Sequence, residues 1–257
     1  MGRDRTKSCA TYCNRQWRAK LKNLGDAWAT GSGIFETIRV EDGQVFALHR
    51  HHCRAKETAE KIGLTIPSED FVADESYQII QSEDFKVGRL RWHFSLDGEF
   101  TISYTPYEDP TSPAKLMVFD ERKPEFNIQK KEFPYKNLEL LQIAKSKGFD
   151  DGIIVRSDGQ VAESSMASLL FNIDSQWVTP PLTSGILNGV VRALVLEAGF
   201  AQVKRIDEAE LAKVRSGLLL TSLRNAQNIG SIAGRELAVD GQKCAEIHKL
   251  MKEFKGR

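Results

Sequence analysis

One lysine and one glutamate in the stretch 133–171 have the types and spacing best suited to chemistry in this chain. Lys136 stands at the start of a predicted helix, and Glu163 lies in a predicted hairpin further along. A lysine amine can bind an aldehyde covalently and shuttle a proton, and a buried carboxylate can keep a nearby nitrogen protonated. The two side chains can therefore act on an aldehyde and on a nitrogen base, respectively. Three nearby lysines compete for the role of the amine: Lys130, Lys131 and Lys145.

Hairpins and helices must position these two residues. Asp-Gly pairs between apolar runs predict β-hairpins at 42–43, 97–98 and 158–159, because the tight turn needs positive φ angles. Strands and helices are mixed and hairpins dominate, so we expect an α+β fold with antiparallel sheets. Four helices are predicted: 49–64, a segment after Lys136, a segment that ends at about Ala198, and 244–255. In the third of these, Asn188 is the predicted N-cap and Gly199 follows the helix end.

A proline-rich segment, 106–114, is the best candidate for a linker. It predicts an N-terminal domain over 1–110 and a C-terminal domain over 111–257 that carries the reactive lysine. The first 25 residues are polar and basic, and they predict a short helix or a loose lead-in.

The composition excludes several classes of function. Of the 257 residues 41% are hydrophobic and 28% charged, with a net charge of +1, so bulk charge suggests neither a nucleic acid nor an anionic membrane as partner. No apolar run approaches the roughly 20 residues that span a bilayer. The basic N-terminus has no apolar core after its charges, which is unlike a secretory signal and predicts a cytoplasmic protein.

Cysteine and histidine spacing does not predict a metal site. Cys9 and Cys13 are four residues apart, but no second Cys/His pair follows at a metal-like distance. We expect free thiols in a reducing cytosol. The cluster of His49, His51 and His52 is interpreted as polar residues at a helix start.

Four motifs in a fixed order resemble one enzyme family over roughly residues 26–225. They are GSGIFETIRVEDGQVFALHRHHCRAKETA, DDGIIVRSDGQVAESSMASLLF, WVTPPL and GILNGVVR. Together with the lysine segment they resemble the class IV, or fold-type IV, pyridoxal phosphate (PLP) enzymes. That family includes branched-chain and D-amino-acid aminotransferases and 4-amino-4-deoxychorismate lyase. The resemblance implies a small α/β sandwich-like N-terminal domain, a larger antiparallel pseudo-barrel and a homodimer.

The resemblance also implies roles for the two reactive residues. Lys136 matches the family lysine that holds PLP covalently and then moves a proton at the substrate carbon. Glu163 matches the acidic residue at the pyridine nitrogen, where a carboxylate raises the pKa of that nitrogen. The alternatives are a solvated surface lysine and an exposed strand glutamate.

The resemblance implies that the start of one helix holds the cofactor phosphate. Gly189 opens this helix, and the backbone N–H groups of Val190 and Val191 are the expected donors. The family usually has a threonine near Val191, so only backbone contacts are expected there. Another departure is Ser168, which stands where the family often has asparagine.

Two further phosphate contacts follow from the same resemblance. Arg54 on the first helix matches the phosphate arginine and suits bidentate binding, although it could be a surface charge. Thr221 and Ser222 match a second position at a strand end, although they could be strand caps.

Substrate binding is the least determined part of the site. Arg89, Arg91 and His93 share one strand face, where they would suit a carboxylated substrate or simply form a solvated sheet face. Thr30, Thr37 and Arg39 lie in a segment that approaches the active site in the family. The tentative substrate residues are Arg89, Arg91 and Thr37.

Three activities remain open. The GSGIFETIRV opening looks more like that of the lyase, which converts aminodeoxychorismate to 4-aminobenzoate and pyruvate in folate biosynthesis, than like the Phe-Glu-Gly opening of the branched-chain enzymes. The first alternative is an aminotransferase acting on D- or branched-chain amino acids with 2-oxoglutarate. The second is a non-catalytic binding protein of the same fold.

Overall fold

A computed structural model describes the backbone of residues 19–21, 33–123 and 135–256, and side chains from 33–123 and 137–256. Of the lead-in predicted over residues 1–25, only 19–21 are described, and they form a strand where a short helix or a loose segment was expected. Both N-terminal cysteines, Thr30 and two of the competing lysines, Lys130 and Lys131, lie outside the described residues.

The first half of the chain forms a five-stranded sheet with the order β1-β5-β4-β2-β3. Its strands are β1 (Ala19–Leu21), β2 (Gly33–Glu41), β3 (Gln44–Val45), β4 (Val87–Ser95) and β5 (Phe100–Pro106). The hairpins at Asp42-Gly43 and Asp97-Gly98 form as predicted, and Asp42 and Gly43 both adopt positive φ angles, 52° and 73°. The long central strands therefore pair in antiparallel fashion.

Two helices cover one face of this sheet: α1 (Leu48–Lys61) and α2 (Glu69–Gln81). The first was predicted, but the second was not. Ser68 caps α2 by accepting a hydrogen bond from the Phe71 N–H, and Val72 and Ile80 face the sheet. Ser76 lies between them, at a position where the helical pattern calls for an apolar residue, and its hydroxyl accepts a hydrogen bond from the Trp92 indole N–H at 2.9 Å. This serine interrupts the apolar pattern that would have indicated the helix.

The other face of the first sheet is polar and half-buried. Along β4 buried and half-buried residues alternate, so Leu90, Trp92 and Phe94 pack under the helices while the arginines point to the opposite side. Leu96 was predicted to continue the apolar face, but the strand ends at Ser95 and Leu96 is exposed.

The second half of the chain forms a nine-stranded sheet. Eight strands follow the order β11-β10-β9-β12-β13-β6-β7-β8, and β14 pairs with β13. The strands are β6 (Ala114–Asp120), β7 (Asp151–Val155), β8 (Val161–Ser164), β9 (Ser168–Ile173), β10 (Gln176–Thr179), β11 (Gln202–Val203), β12 (Val214–Thr221), β13 (Asn225–Ile232) and β14 (Arg235–Glu236).

This sheet is mixed, whereas the sequence predicted an antiparallel one. β6 pairs in parallel with both β7 and β13, and β10 with β11. A helix, α3 (Tyr135–Ser146), connects β6 to β7, and such a crossover returns the chain in the same direction. The α+β class is confirmed. Each sheet draws its strands from one side of the proline-rich segment, while the boundary between 110 and 111 stays a prediction.

Three helices pack on the second sheet. Beside α3 these are α4 (Val190–Glu197) and α5 (Gly241–Lys252). Gly189, and not the predicted Asn188, is the N-cap of α4, whereas Gly199 follows the helix end with a positive φ as expected. Asp240 caps α5, which begins three residues before the predicted start. None of the described helices is long and apolar enough to span a membrane.

Candidate active site

Glu163 lies near the end of β8, where its side chain is partly buried. The Leu187 N–H donates a hydrogen bond to its Oε2 at 3.1 Å, and the Asn137 side chain forms another hydrogen bond. Burial raises the pKa of Glu163 to about 7; the negative charge of Asp151 acts in the same direction, and the two hydrogen bonds oppose it. A carboxyl group in this state is suited to sharing a proton with a ring nitrogen.

Lys136 lies in the first turn of α3, one residue before Asn137. Its side chain is outside the described residues, so its distance from Glu163 stays a prediction. Asn137 is buried and bonded to Glu163, which brings the start of α3 next to the acid. The competing Lys145 is exposed in the last turn of the same helix, on the order of 13 Å along the helix axis from Lys136, so it does not lie at this end.

The start of α4 forms a close-packed cradle. An ideal Cβ placed on Gly189 would lie 2.8 Å from the Ser168 Oγ, so a larger residue here would require that hydroxyl to move. The N–H groups of Val190, Val191 and Arg192 belong to the first helical turn, where an α-helix has donors without intrahelical acceptors. The cradle therefore fits an anion such as a phosphate.

Arg54 on α1 reaches this cradle from the first sheet. Its Nη1 donates to the Asn188 carbonyl at 3.3 Å, and its Nε donates to Glu36 Oε1 at 2.9 Å. The third guanidinium nitrogen, Nη2, donates to Glu36 Oε2, so two of the three bind Glu36. The structure thus places the predicted phosphate arginine beside the predicted phosphate helix.

Glu36 and His51 form a buried support for Arg54 that sequence reasoning missed. His51 Nδ1 lies 2.6 Å from Glu36 Oε2, and both side chains are almost fully buried. Burial would raise the pKa of Glu36, but Arg54 and His51 together lower it below its usual value, while burial lowers the pKa of His51. Glu36 lies among the apolar residues on the inner face of β2, and this break in the alternation could have revealed it.

Replacing Glu36 with glutamine will destabilise the fold. Breaking a buried ion pair leaves the remaining charge without compensation, and we expect a loss of about 3 kcal/mol in the free energy of unfolding. Urea denaturation of Glu36→Gln, compared with Glu60→Gln at an exposed position of α1, measures this loss. Equal denaturation midpoints for the two variants would show that the Arg54 pair contributes nothing.

The end of β12 lies beside the cradle. Leu220 on β12 pairs with Ser168 on β9, and Ser168 is the residue that contacts Gly189. The predicted phosphate residues Thr221 and Ser222 come directly after Leu220. Thr221 Oγ1 accepts the Arg224 N–H at 3.0 Å, which closes the turn after the strand. These contacts place the pair near the phosphate cradle and also give Thr221 the capping role that was the alternative.

Arg39 ties this turn to the first sheet. It donates to the Leu223 carbonyl at 2.9 Å and makes a bidentate pair with Asp109, at 2.9 and 2.7 Å. Its guanidinium is committed to these partners, so Arg39 acts as a clamp between the sheet, the proline-rich segment and the turn after β12.

The predicted substrate residues share the polar face of the first sheet. Thr37 is the cross-strand partner of Arg91, and Arg39 is the partner of Arg89. The Arg89 Nε donates to Thr105 Oγ1 at 3.2 Å. Their proposed contact with a substrate stays a prediction.

The histidine cluster on α1 disperses into separate contacts. His49 pairs with Glu69 and His52 with the Pro67 carbonyl, while His51 belongs to the Arg54 support. Within the described parts of the chain, no group of three or more His, Cys, Asp or Glu side chains is arranged to hold a metal ion. Cys53 and Cys244 are free thiols.

The chain is similar to known enzymes of both kinds. It is 25% identical over 203 residues to the aminodeoxychorismate lyase of Bacillus subtilis, covering 70% of this chain and 68% of that protein. It is 24% identical over 186 residues to the D-alanine aminotransferase of Bacillus licheniformis, covering 65% of each. The PLP-bound form of a hypothetical aminotransferase from Mycobacterium tuberculosis shares the fold, with a TM-score of 0.74 and 20% identity over 87% of this chain and 90% of that one.

The family assignment rests on a longer match. The model described as Amino-transferase class IV matches residues 33–232, which is most of the chain. With the solved structures, the match confirms the resemblance, the fold type and the cofactor predicted from the sequence, and it supports an enzyme over a non-catalytic protein. The chain belongs to the class IV amino-transferase family and is a PLP-dependent enzyme of the lyase or aminotransferase kind.

Proposed function

We propose that this enzyme is a lyase that converts 4-amino-4-deoxychorismate to 4-aminobenzoate and pyruvate. The observation that carries the proposal is the placement of Thr37, the residue that stands in its opening motif where the branched-chain enzymes have glycine. Thr37 lies opposite Arg91 on the polar sheet face, so it adds a hydroxyl and bulk beside a cation. Similarity to a bacterial aminodeoxychorismate lyase supports the same choice.

The proposed substrate suits this face chemically. Aminodeoxychorismate carries two carboxylates. Two arginines, Arg89 and Arg91, lie two positions apart on the same side of β4. Guanidinium groups bind carboxylates with bidentate geometry. We assign both residues, with Thr37, to substrate binding.

The residues of the chain divide the chemistry between them. PLP supplies an electron sink when it is bound. Lys136 holds the cofactor, then removes the ring proton of the substrate and later acts as an acid. As that proton leaves, the C–O bond to the enolpyruvyl group breaks and the ring becomes aromatic. The departing enolpyruvate takes up one proton from Lys136 and becomes pyruvate.

Other residues orient the cofactor and hold its charges. Glu163 holds a proton at the pyridine nitrogen, for which a pKa of about 7 suits its carboxyl group. Arg54, the first turn of α4 and the pair Thr221 and Ser222 hold the phosphate.

Aminotransferase activity is the second candidate. It uses the same lysine and the same electron sink, and differs in the pocket that selects the substrate. The similarity to a D-alanine aminotransferase supports it, over a slightly shorter match than that to the lyase. A homodimer and a cytoplasmic location are further proposals; they rest on the family resemblance and, for location, on the free thiols.

A substrate panel will separate the two activities. Purified protein with PLP is given aminodeoxychorismate in one arm, and D-alanine or leucine with 2-oxoglutarate in the others. We expect equal amounts of 4-aminobenzoate and pyruvate in the first arm and little glutamate in the others, with Thr37→Gly slowing the first reaction. Glutamate formation without 4-aminobenzoate would reject the lyase and support the aminotransferase.

A further inference from the structure

A second buried carboxylate, Asp151, lies behind Glu163. It is the first residue of β7 and is 1% exposed. Two backbone N–H groups donate to its Oδ1, from Gly152 at 2.7 Å and from Ser165 at 3.0 Å. The Ser164 hydroxyl donates to Oδ2 at 2.9 Å, and the Ser165 hydroxyl also bonds Oδ1. Four hydrogen bonds therefore hold the Asp151 carboxyl group in a fixed position.

These bonds fix the turn that joins Glu163 to Ser168. Both serines that bind Asp151 directly follow Glu163. The Ser164 Oγ also accepts the Ala167 N–H at 2.8 Å, and the Ser164 N–H donates to the Ala167 carbonyl at 2.9 Å. Ser168 is the next residue, and its hydroxyl sets the close approach to Gly189. One buried acid therefore holds the segment that carries both the ring-nitrogen residue and the wall of the phosphate cradle.

The groups that act on Glu163 from the packed elements are Asp151 from β7, the Asn137 amide from α3 and the Leu187 N–H. Asp151 is the charged one of these three. Lys136 adjoins Asn137, and its amine would face the cofactor in the proposed function.

We propose that Asp151 is a positioning residue of the cofactor site, which holds the Glu163–Ser168 turn in place and adds a second negative charge that helps keep the pyridine nitrogen protonated. The proposal rests on the assigned role of Glu163 and is independent of whether the reaction is elimination or transamination.

The test compares Asp151→Asn with Asp150→Asn. The first substitution keeps the shape of the side chain, and its amide oxygen could accept the same two N–H groups, but it removes the charge. Asp150 is the adjacent exposed acid, which accepts the Lys115 N–H at 2.7 Å. Carboxyl carbon NMR of the full-length chain without cofactor follows the titration of Glu163, and PLP binding is measured separately by absorbance.

We expect Asp151→Asn to lower the titration midpoint of Glu163 by about one pH unit, because a like charge has been removed. PLP affinity should fall by roughly tenfold, while Asp150→Asn changes neither quantity. An unchanged Glu163 titration in a folded Asp151→Asn protein would overturn the proposal.

Ser165→Ala provides a second test if the asparagine variant does not fold. It removes one hydrogen bond and keeps the charge, so PLP affinity should fall while the Glu163 midpoint stays raised. Unchanged PLP affinity in Ser165→Ala would reject the positioning role. The titration contains no substrate, so its outcome is distinct from a failure of the lyase assignment.

Discussion

Replacing Glu163 with glutamine will stabilise the protein without its cofactor at alkaline pH and will weaken cofactor function. In the unfolded chain this carboxyl ionises near pH 4.5, whereas in the folded protein it keeps its proton up to about pH 7. Between these values the folded state binds more protons, so stability falls as pH rises. The gap corresponds to about 3 kcal/mol, which glutamine avoids because it carries no charge.

The stability effect has a defined pH window. We expect Glu163→Gln to raise the free energy of unfolding by about 2 to 3 kcal/mol at pH 8 and to change it little at pH 4.5. Urea denaturation of cofactor-free protein at both pH values measures this difference. Glu57→Gln on the exposed side of α1 is the control. Parallel pH dependence for Glu163→Gln and the original protein would contradict the raised pKa.

The same substitution tests the catalytic role. Glutamine can still accept the Leu187 N–H and bond Asn137, so the site keeps its shape. It cannot share an ionisable proton with a ring nitrogen, and the reaction rate should fall by roughly a hundredfold or more. A gain in stability together with a loss of activity is the pattern expected when a buried charge is retained for function.

The sequence predicted those parts of the fold whose signals are local. Asp42-Gly43 needs two positive φ angles, and few structures other than a tight hairpin provide them. In contrast, α2 was missed because Ser76 interrupts its apolar face, and that serine is explained only by Trp92 on a distant strand. The parallel pairs of the second sheet were missed because strand direction depends on the crossover through α3.

In the candidate site, too, residues with a local sequence signal could be predicted more readily than residues defined by distant contacts. Arg54 and Glu163 could be named as candidates because their residue types and motifs match a known pattern. Of their supports, Glu36 shows in the sequence only as a break in the apolar alternation of β2. The partners of Glu36 and of Asp151 are distant in sequence and are seen only in the folded chain. Asp151 lies 13 positions from Ser164, its partner across the hairpin. Only the folded chain shows that these carboxylates have hydrogen-bonded neighbours instead of solvent.

Substituting Lys136 with alanine will have the largest effect on activity. The side chain removed is the proposed covalent anchor and proton carrier, and loss of a general acid–base group costs on the order of 10² to 10⁴ in rate. Lys145→Ala is the matched control, since that lysine is exposed at the opposite end of α3. We expect Lys136→Ala to lose the visible absorbance of lysine-bound PLP and its activity, while Lys145→Ala keeps both. A persistent visible band in Lys136→Ala would assign the anchor to Lys130 or Lys131, and the same measurement on their alanine variants would then identify it.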